Sequence, residues 1–266
     1  MIYFVSTPIG NLEDITLRAI STLKSVDVIA CEDTRTSLPL LNKYEINKKL
    51  ISYHKFNEKE ASQKIVELNN EGKNIAIISD AGMPGISDPG YILSKQLNEQ
   101  NIPFTVLPGA NAALTALVYS GLSTSQFYFV GFLPEKNTDK QKIISQILAL
   151  KASLIFYISA HNIKKDLKFL HEALGARKAC LVKELTKLHE NKFNFTLGDE
   201  LEINEKGEFV LIVEGSENNF DEMSVIDHVK FYINIGLTKN DAIKKVASER
   251  NLNKNEVYKQ VLNLKA

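Results

Sequence analysis

The chain carries the stretch Ser79-Asp80-Ala81-Gly82-Met83-Pro84-Gly85-Ile86-Ser87-Asp88-Pro89-Gly90, which holds three glycines, two prolines and two aspartates. The apolar run at residues 74–78 precedes it and indicates a buried strand, and residues 91–97 follow it with a helical pattern. Open α/β sheets bind ligands at the carboxyl ends of their strands. An ordinary strand-to-helix turn is usually only a few residues long. The stretch therefore favours a ligand-binding loop of an α/β protein over a plain turn.

Strands and helices alternate through the first part of the chain. Apolar runs indicate the strands, and helical stripes lie between them, as at Leu17, Ile20 and Leu23. We predict these strands at residues 2–6, 26–31, 50–54, 75–79 and 104–107. Such alternation is typical of parallel βαβ units.

The pattern changes after residue 122. Further strands are predicted at residues 127–132, 154–158, 179–184, 193–197 and 209–214. The last two follow one another without a helix between them, which indicates a mixed sheet.

Three helical runs end the chain, at residues 225–235, 240–249 and 255–264. Thr238 with Asp241, and Asn253 with Glu256, have the spacing of N-terminal helix caps. We therefore predict an α/β protein with two α/β domains, first a parallel and then a mixed sheet, and a small C-terminal helical segment. The predicted bounds of these three parts are 1–115, 116–218 and 219–266.

Composition and charge limit the possible partners. The net charge of the 266 residues is zero, which argues against a strongly basic nucleic-acid-binding surface but not against a local patch. The three-helix tail is basic and could read DNA as a helix-turn-helix, but such tails are more often packing units, so we expect no DNA partner. The longest apolar runs are too short to span a bilayer, and the first residues lack the basic region of a signal peptide. We expect a cytoplasmic protein without a membrane partner.

Several common kinds of site are missing from the sequence. The first predicted strand is not followed by Gly-x-Gly-x-x-Gly, and no Walker-type Gly-Lys-Ser/Thr occurs, which counts against NAD enzymes and P-loop enzymes. No hydrolase triad or His/Cys cluster is evident, so we expect no metal. Cys31 and Cys180 are far apart in sequence and suggest no disulfide framework.

The cluster Glu32-Asp33-Thr34-Arg35 places both signs of charge at the end of a predicted strand. It could bind substrate or remove a proton. It could equally begin a helix, with Asp33 or Thr34 as the N-cap and Arg35 in solvent. His54 and His161 also end strands, where each could touch substrate or be structural. Residues 109–113 open a helix with small side chains, either to bind an anion or to allow tight packing.

Six motifs taken together resemble the ribosomal RNA small subunit methyltransferase I family, within the tetrapyrrole-methylase-like (class III) methyltransferases. They are the stretch at residues 79–90, Thr7-Pro8-Ile9-Gly10-Asn11-Leu12, Glu32-Asp33-Thr34-Arg35, Leu107-Pro108-Gly109, Gly131-Phe132-Leu133-Pro134 and Lys183-Glu184-Leu185-Thr186-Lys187. The resemblance runs in order from Ile2 to about Gly215, and residues 236–259 also look like the tail of the family.

The resemblance implies methyl transfer from S-adenosylmethionine to the ribose 2′-hydroxyl of a cytidine in the decoding region of small-subunit (16S) rRNA. It also implies a homodimer, with the cofactor in a cleft between the two α/β domains. By motif position, it implies cofactor contacts at Pro8, Asp80, Gly82, Ser87, Asp88, Gly109, Ala112, Ser159, Ala160 and Leu185.

For the reaction, we expect Glu32 or Asp33 to act as the base or to orient the ribose hydroxyl. The residues expected to contact the RNA are Asn11, Thr34, Arg35 and Lys183. Two positions depart from the family, because Ile158 and Asn162 stand where its members usually carry Glu and Arg. Two alternatives therefore stay open: a methyltransferase of the same fold acting on a tetrapyrrole or another small molecule, and a non-catalytic rRNA-binding assembly factor.

Overall fold

The computed structural model describes residues 1–217, 223–234 and 236–262, apart from the side chain of Asn234. Within these residues the chain forms two five-stranded sheets. The chain forms two compact units, one of Met1–Ser120, Leu181–Phe193 and Gly207–Val210, the other of Gly121–Cys180, Asn194–Lys206 and Leu211–Ala266. The division into parts at 1–115, 116–218 and 219–266 stays a prediction, and its second boundary falls in residues 218–222, outside the described residues.

The first sheet is parallel in all its described pairings and lies in unit 1. Its strands are β1 Ile2–Val5, β2 Val28–Cys31, β3 Lys49–Ser52, β4 Ile75–Ile78 and β5 Phe104–Leu107, in the order β3-β2-β4-β1-β5. The helices that follow these strands are α1 Leu17–Ser25, α2 Thr34–Lys43, α3 Glu58–Asn70, α4 Tyr91–Glu99 and α5 Ala112–Ser120.

Both faces of this sheet are buried, which explains why its central strands are apolar throughout. One face packs against α1 and α2 through Ala19, Leu23 and Leu41. The other packs against α3 and α4 through Ile65 and Leu93. Helices on both faces make this a doubly wound α/β sheet, a fold in which ligands bind at the carboxyl edge of the strands.

The second sheet has the strand order β6-β7-β10-β8-β9. Its strands are β6 Phe127–Phe132, β7 Ser153–Ser159, β8 Lys178–Lys183, β9 Asn191–Thr196 and β10 Glu208–Val213. It is mixed, as predicted, although β6 and β7 pair in parallel. Its helices are α6 Asn137–Ile147 and α7 Ile163–Leu174.

Three helices follow in unit 2: α8 Val225–Asn234, α9 Lys239–Glu249 and α10 Lys254–Gln260. Val229, Tyr232, Ile243, Val246 and Val257 are fully buried and lie on these helices. The described helices contain none that is both long enough and apolar enough to cross a membrane.

The α/β prediction is confirmed, and the strand predictions were wrong only at their ends. The predicted second strand began two residues early, because Val26 caps α1 and Asp27 instead accepts a hydrogen bond from the backbone N–H of Asn74, at 2.8 Å. The third ran two residues too far, because the chain turns at His54.

Both predicted N-caps of the last helices, Thr238 and Asn253, are present in the structure. Thr238 caps α9 by accepting from the N–H of Asp241 at 3.2 Å, as predicted. The side chain of Asn253 accepts from the N–H of Asn255 instead of Glu256. The predicted helix ends at residues 235 and 263–264 lie outside the described residues.

Candidate active site

The loops after β1 and β4 mark the point where the first sheet reverses its direction of winding. These two strands are neighbours, yet the chain leaves β1 towards β2 on one side and leaves β4 towards β5 on the other. Ligands of open α/β sheets bind outside the carboxyl ends of strands at such a point. The loop at residues 79–90 therefore lies where a ligand is expected.

The two loops are held together by an isolated β-bridge between Thr7 and Gly82. The N–H of Thr7 donates to the carbonyl of Gly82 at 2.9 Å, and the N–H of Gly82 donates back at 3.1 Å. The Thr7 hydroxyl also donates to the carbonyl of Ser79, at 3.1 Å. Gly82 has a φ of +85°, and a Cβ there would lie 3.3 Å from Ile9, so the bridge needs glycine.

Pro8 and Asp80, two of the predicted cofactor residues, lie close together in these loops. Both line a cavity of about 60 Å³, together with Thr7 and Ser79. Pro8 is buried, whereas Asp80 is exposed as a residue and its carboxylate accepts from the N–H of Asp33. The structure thus brings this predicted pair to one edge of the sheet.

Three carboxyl groups at this edge, on Glu32, Asp80 and Asp88, have raised pKa values. Burial, and then the negative charges of Glu32 and Asp80, raise the pKa of Asp88 to about 7. Burial and the charge of Asp80 raise the pKa of Glu32. Burial raises the pKa of Asp80, although the N–H of Asp33 donates to its carboxylate at 3.1 Å. No described cation lies within ion-pair distance of these three groups, and a positively charged ligand would relieve their repulsion.

Asp33 has a different environment from its neighbour Glu32. Its carboxylate caps α2 by accepting from the N–H of Arg35 at 2.8 Å, and it accepts from the guanidinium of Arg35 at 3.1 and 2.8 Å. These hydrogen bonds lower the pKa of Asp33 to about 2. The helix-start alternative for this cluster is therefore present in the structure, and Thr34 is the first residue of α2.

Gly109 and Ala112 lie at the start of α5. A Cβ on Gly109 would lie 2.6 Å from the Cβ of Ser6, so glycine is needed for the loops after β5 and β1 to pack. The side chain of Asn111 accepts from the N–H of Leu114 at 3.0 Å and caps the helix. Tight packing is thus present here, and anion binding by this helix end stays a prediction.

Glu58, which the sequence did not single out, fixes the far end of the glycine-rich loop. Its carboxylate accepts hydrogen bonds from the N–H of Gly90 at 2.8 Å and of Ile92 at 3.3 Å. The hydroxyl of the buried Tyr53 also donates to it, at 3.3 Å. Nothing in the local sequence signals this contact, because residues 58 and 90 meet only through the packing of α3 and α4.

The segment after β8 packs against the loop after β1 within unit 1. A Cβ on Gly10 would lie 2.9 Å from the carbonyl oxygen of Leu185, and the N–H of Asn11 donates to the hydroxyl of Thr186 at 3.1 Å. Glu184 and Thr186 have φ values of 51° and 66°, the left-handed region that side chains disfavour. A strained segment held on a glycine is typical of a functional loop.

The remaining predicted residues are more dispersed. Ser87 is exposed with a φ of 68° in the glycine-rich loop, and the ammonium of Lys183 lies 5.7 Å from the ring of Phe209. Ser159 and Ala160 lie in unit 2, where β7 ends. There Ile158 is buried in the strand, and the side-chain amide of Asn162 donates to the hydroxyl of Ser159 at 3.3 Å.

Comparison with known proteins places these features in a family. A sequence profile of the family described as Tetrapyrrole (Corrin/Porphyrin) Methylases matches residues 1–200. A Bacillus subtilis (strain 168) protein named "Ribosomal RNA small subunit methyltransferase I" is 43% identical over 97% of this chain and 92% of its own length. A protein of the same name from Synechocystis is 38% identical, over 100% of this chain and 99% of its own length.

Solved structures show the same fold at low identity. Diphthine synthase has a TM-score of 0.68 at 12% identity, covering 82% of this chain and 91% of its own. The uroporphyrin-III-C-methyltransferase of Thermus thermophilus has a TM-score of 0.59 at 20% identity, covering 80% of this chain and 93% of its own. Since the profile spans most of the chain and the relatives match nearly all of it, the chain belongs to the tetrapyrrole methylase family, among the proteins named ribosomal RNA small subunit methyltransferase I.

Proposed function

We propose that this chain transfers a methyl group from S-adenosylmethionine to the ribose 2′-hydroxyl of a cytidine in the decoding region of 16S rRNA. One observation carries the proposal: 43% identity, along 97% of the chain, to a protein named for methylation of small-subunit ribosomal RNA. The cytidine and the 2′-hydroxyl come from the resemblance of the sequence motifs.

The residues at the carboxyl edge of the first sheet fit this cofactor. S-adenosylmethionine supplies a methyl group that its sulfonium already activates, and it carries positive charge on the sulfonium and on the amino group. Burial raises the pKa of both Asp80 and Asp88, and the charges of Glu32 and Asp80 raise that of Asp88 further; a nearby cation would oppose these shifts. Gly82 is needed for the bridge to Thr7 that holds the two loops together. From their motif positions, we also propose cofactor contacts at Pro8, Ser87, Gly109, Ala112, Ser159, Ala160 and Leu185.

Of the two candidate bases, the electrostatics favour Glu32. A general base works best when its pKa lies near the working pH, and burial moves the pKa of Glu32 upwards. Asp33, with a pKa of about 2, is committed to Arg35 and to the start of α2. In this proposal Glu32 accepts the proton of the ribose hydroxyl, and Asp33 holds Asp80 in place through its backbone N–H.

Contacts to the RNA backbone are assigned to Asn11, Thr34, Arg35 and Lys183. The side chain of Arg35 is 89% exposed even though it pairs with Asp33, so its outer face is open to a phosphate. Phosphate contacts position the RNA, whereas the ribose hydroxyl distinguishes it from DNA. The homodimer and the cytoplasmic location implied by the resemblance also remain proposals.

The test is methyl transfer from labelled S-adenosylmethionine. The acceptors are small ribosomal subunits from a strain lacking this protein and naked 16S rRNA, with a porphyrinoid as the small-molecule control. We expect label on one decoding-region ribose, located by mapping the modified nucleotide.

Three results would contradict the proposal. Label on the porphyrinoid alone would make the chain a small-molecule methyltransferase. Label on a base would refute 2′-O-methylation. Subunit binding without cofactor binding in calorimetry would instead indicate a non-catalytic assembly factor.

A further inference from the structure

Phe56 is the most exposed of the large apolar side chains among the described residues, at 95%. A single exposed apolar residue is common on protein surfaces and is not by itself a sign of function. Three further features of this residue matter: the turn that holds it, its position in the sheet, and the charges around it.

The turn that carries Phe56 is fixed by Asn57. The side chain of Asn57 accepts from the N–H of His54 at 2.8 Å and donates to the carbonyl of Ser52 at 3.1 Å. The N–H of Asn57 donates to the carbonyl of His54 at 3.0 Å. The aromatic ring therefore projects from a constrained backbone, so that binding at the ring costs little chain ordering.

The turn follows β3, directly beside the loop that carries the candidate base. Ser52 pairs with Cys31 in the sheet, and the N–H of Tyr53 donates to the carbonyl of Cys31 at 2.8 Å. Glu32 directly follows Cys31, the last residue of the neighbouring strand β2. His54 is close enough to Glu32 for its charge to lower the pKa of that carboxyl group, against the larger effect of burial.

Lysines lie near Phe56 in the sequence and line the groove beside it. Lys55 and Lys59 are exposed, and no described carboxylate lies within ion-pair distance of either. An open groove of about 1530 Å³ begins at the turn and follows β3 and α3. Four lysines line it, Lys49, Lys55, Lys59 and Lys64, with three glutamates, of which Glu58 is bound to backbone N–H groups.

We propose that Phe56 is a stacking platform for a base next to the methylated nucleotide, with Lys55 and Lys59 on the adjoining phosphates. This inference rests on the proposed function. Single-stranded nucleic acids bind where an aromatic face lies in a positively charged groove, because every base has a π-face. A second copy of this chain would not need the lysines, so a protein contact at Phe56 is an outcome of the test.

The experiment measures RNA binding by the full-length protein with a fluorescein-labelled single-stranded RNA of decoding-region sequence, over a range of salt concentrations. We expect Phe56→Ala to weaken binding by about 5- to 150-fold, the contribution of one stacked base. Phe56→Tyr restores it, because the ring is kept. The salt dependence of Phe56→Ala stays that of the wild type, whereas Lys55→Ala lowers the slope by about 0.7, as for one phosphate contact in single strands.

Matched measurements separate the alternatives. Val118→Ala removes another exposed apolar side chain, in the last turn of α5, and should bind RNA as the wild type does. S-adenosylmethionine affinity, measured by calorimetry, should be unchanged in Phe56→Ala. In the methylation assay, Phe56→Ala should raise the KM for the RNA acceptor more than it lowers kcat.

Several results would overturn the inference. Wild-type methylation with unchanged RNA binding by Phe56→Ala would refute the stacking platform while leaving the proposed function intact. A change of oligomeric state in Phe56→Ala, seen by light scattering, would make the ring a contact between protein chains. If the wild type neither binds nor methylates RNA, the proposed function fails first and this inference with it.

Discussion

Two groups of partly buried carboxylates in this chain have opposite electrostatics. At the carboxyl edge of the first sheet, Glu32, Asp80 and Asp88 all have raised pKa values, because the negative charge of neighbouring carboxylates reinforces burial. In the C-terminal helices, burial also raises the pKa of Glu249, but its partners outweigh burial and the pKa is lowered.

The difference lies in what surrounds each carboxylate. Glu249 accepts from the hydroxyl of Tyr232 at 2.8 Å, and it lies 3.2 Å from the imidazole of His228 and 3.3 Å from the ammonium of Lys245. A carboxylate that is paired with several partners in this way serves the fold. Neighbouring carboxylates whose pKa values are raised and that have no cationic partner are more typical of a ligand-binding site. The comparison therefore indicates that the carboxylates at the edge of the first sheet, and not Glu249, should be tested for function.

The largest expected effect is on Glu32. Glu32→Gln should lower kcat by about 100-fold or more, because general-base catalysis contributes about 10²- to 10⁴-fold. Its affinity for S-adenosylmethionine should change by less than about fivefold, since Asp80 and Asp88 remain.

Asp33→Asn is the matched control for this prediction. Because the pKa of Asp33 is about 2, it is a weak base, and kcat should fall by less than about tenfold. Equal losses in kcat for the two variants would contradict the assignment of the base.

Substitution of Glu249, the carboxylate paired in the C-terminal helices, should lower stability and leave activity unchanged. Glu249→Ala leaves the Tyr232 hydroxyl and the buried His228 without this partner, so the free energy of unfolding should fall by about 2–3 kcal/mol. Denaturant titration measures it, and cofactor affinity at temperatures where the variant is folded should not change. Glu256→Ala, on the exposed surface of α10, should cost less than about 0.5 kcal/mol. If Glu249→Ala were as stable as the wild type but inactive, Glu249 would belong to the functional site and not to the fold.

The raised pKa of Asp88 predicts that the stability of the free protein depends on pH. Its pKa of about 7 in the folded state lies above the value in the unfolded chain, so the folded state binds the extra proton between about pH 4 and 7. Its contribution to stability is therefore full below pH 4 and is lost as the pH rises to 7. Asp88→Asn should stabilise the free protein by about 1–2 kcal/mol at pH 8, and by little at pH 4.

Binding of S-adenosylmethionine should show the opposite pH dependence, because it should be tighter at higher pH. A cationic cofactor favours the ionised carboxylate, so the affinity for S-adenosylmethionine should rise between pH 6 and 8, with proton release on binding. Calorimetry in buffers of different ionisation enthalpy measures the released proton. An affinity that does not depend on pH in the wild type, or the same pH dependence in Asp88→Asn, would show that this carboxyl group does not face the cation.

The smallest effect is expected at Glu58, a carboxylate that backbone N–H groups satisfy. Glu58→Gln weakens its bonds to Gly90 and Ile92 by about 1 kcal/mol in total, so cofactor affinity should fall by about fivefold. Glu60→Gln changes an exposed glutamate of the same helix turn and should have no effect. If the two variants bind the cofactor equally well, Glu58 does not position the loop.

Much of the fold was predictable because its signals are local. The apolar runs predicted the strands of both the parallel and the mixed sheet. Errors were confined to strand ends such as Asp27, whose side chain accepts a hydrogen bond from the backbone of Asn74, a residue distant in sequence. Within the site, the motif positions were predictable, and the structure places Pro8, Asp80, Asp88 and Glu32 at one edge of one sheet. The contact between Glu58 and Gly90 was not predictable, since it depends on how two helices pack.

The sequence by itself determined the α/β class, the glycine-rich loop and the family, because short-range patterns of apolar residues, glycine and proline encode them. Only the tertiary structure distinguished the electrostatic environments within the Glu32–Arg35 cluster. Glu32 and Asp33 are adjacent in sequence and alike in chemistry, but burial near Asp80 raises the pKa of one and Arg35 lowers that of the other. Their difference comes from solvent exposure and neighbouring charge, which are properties of the folded chain.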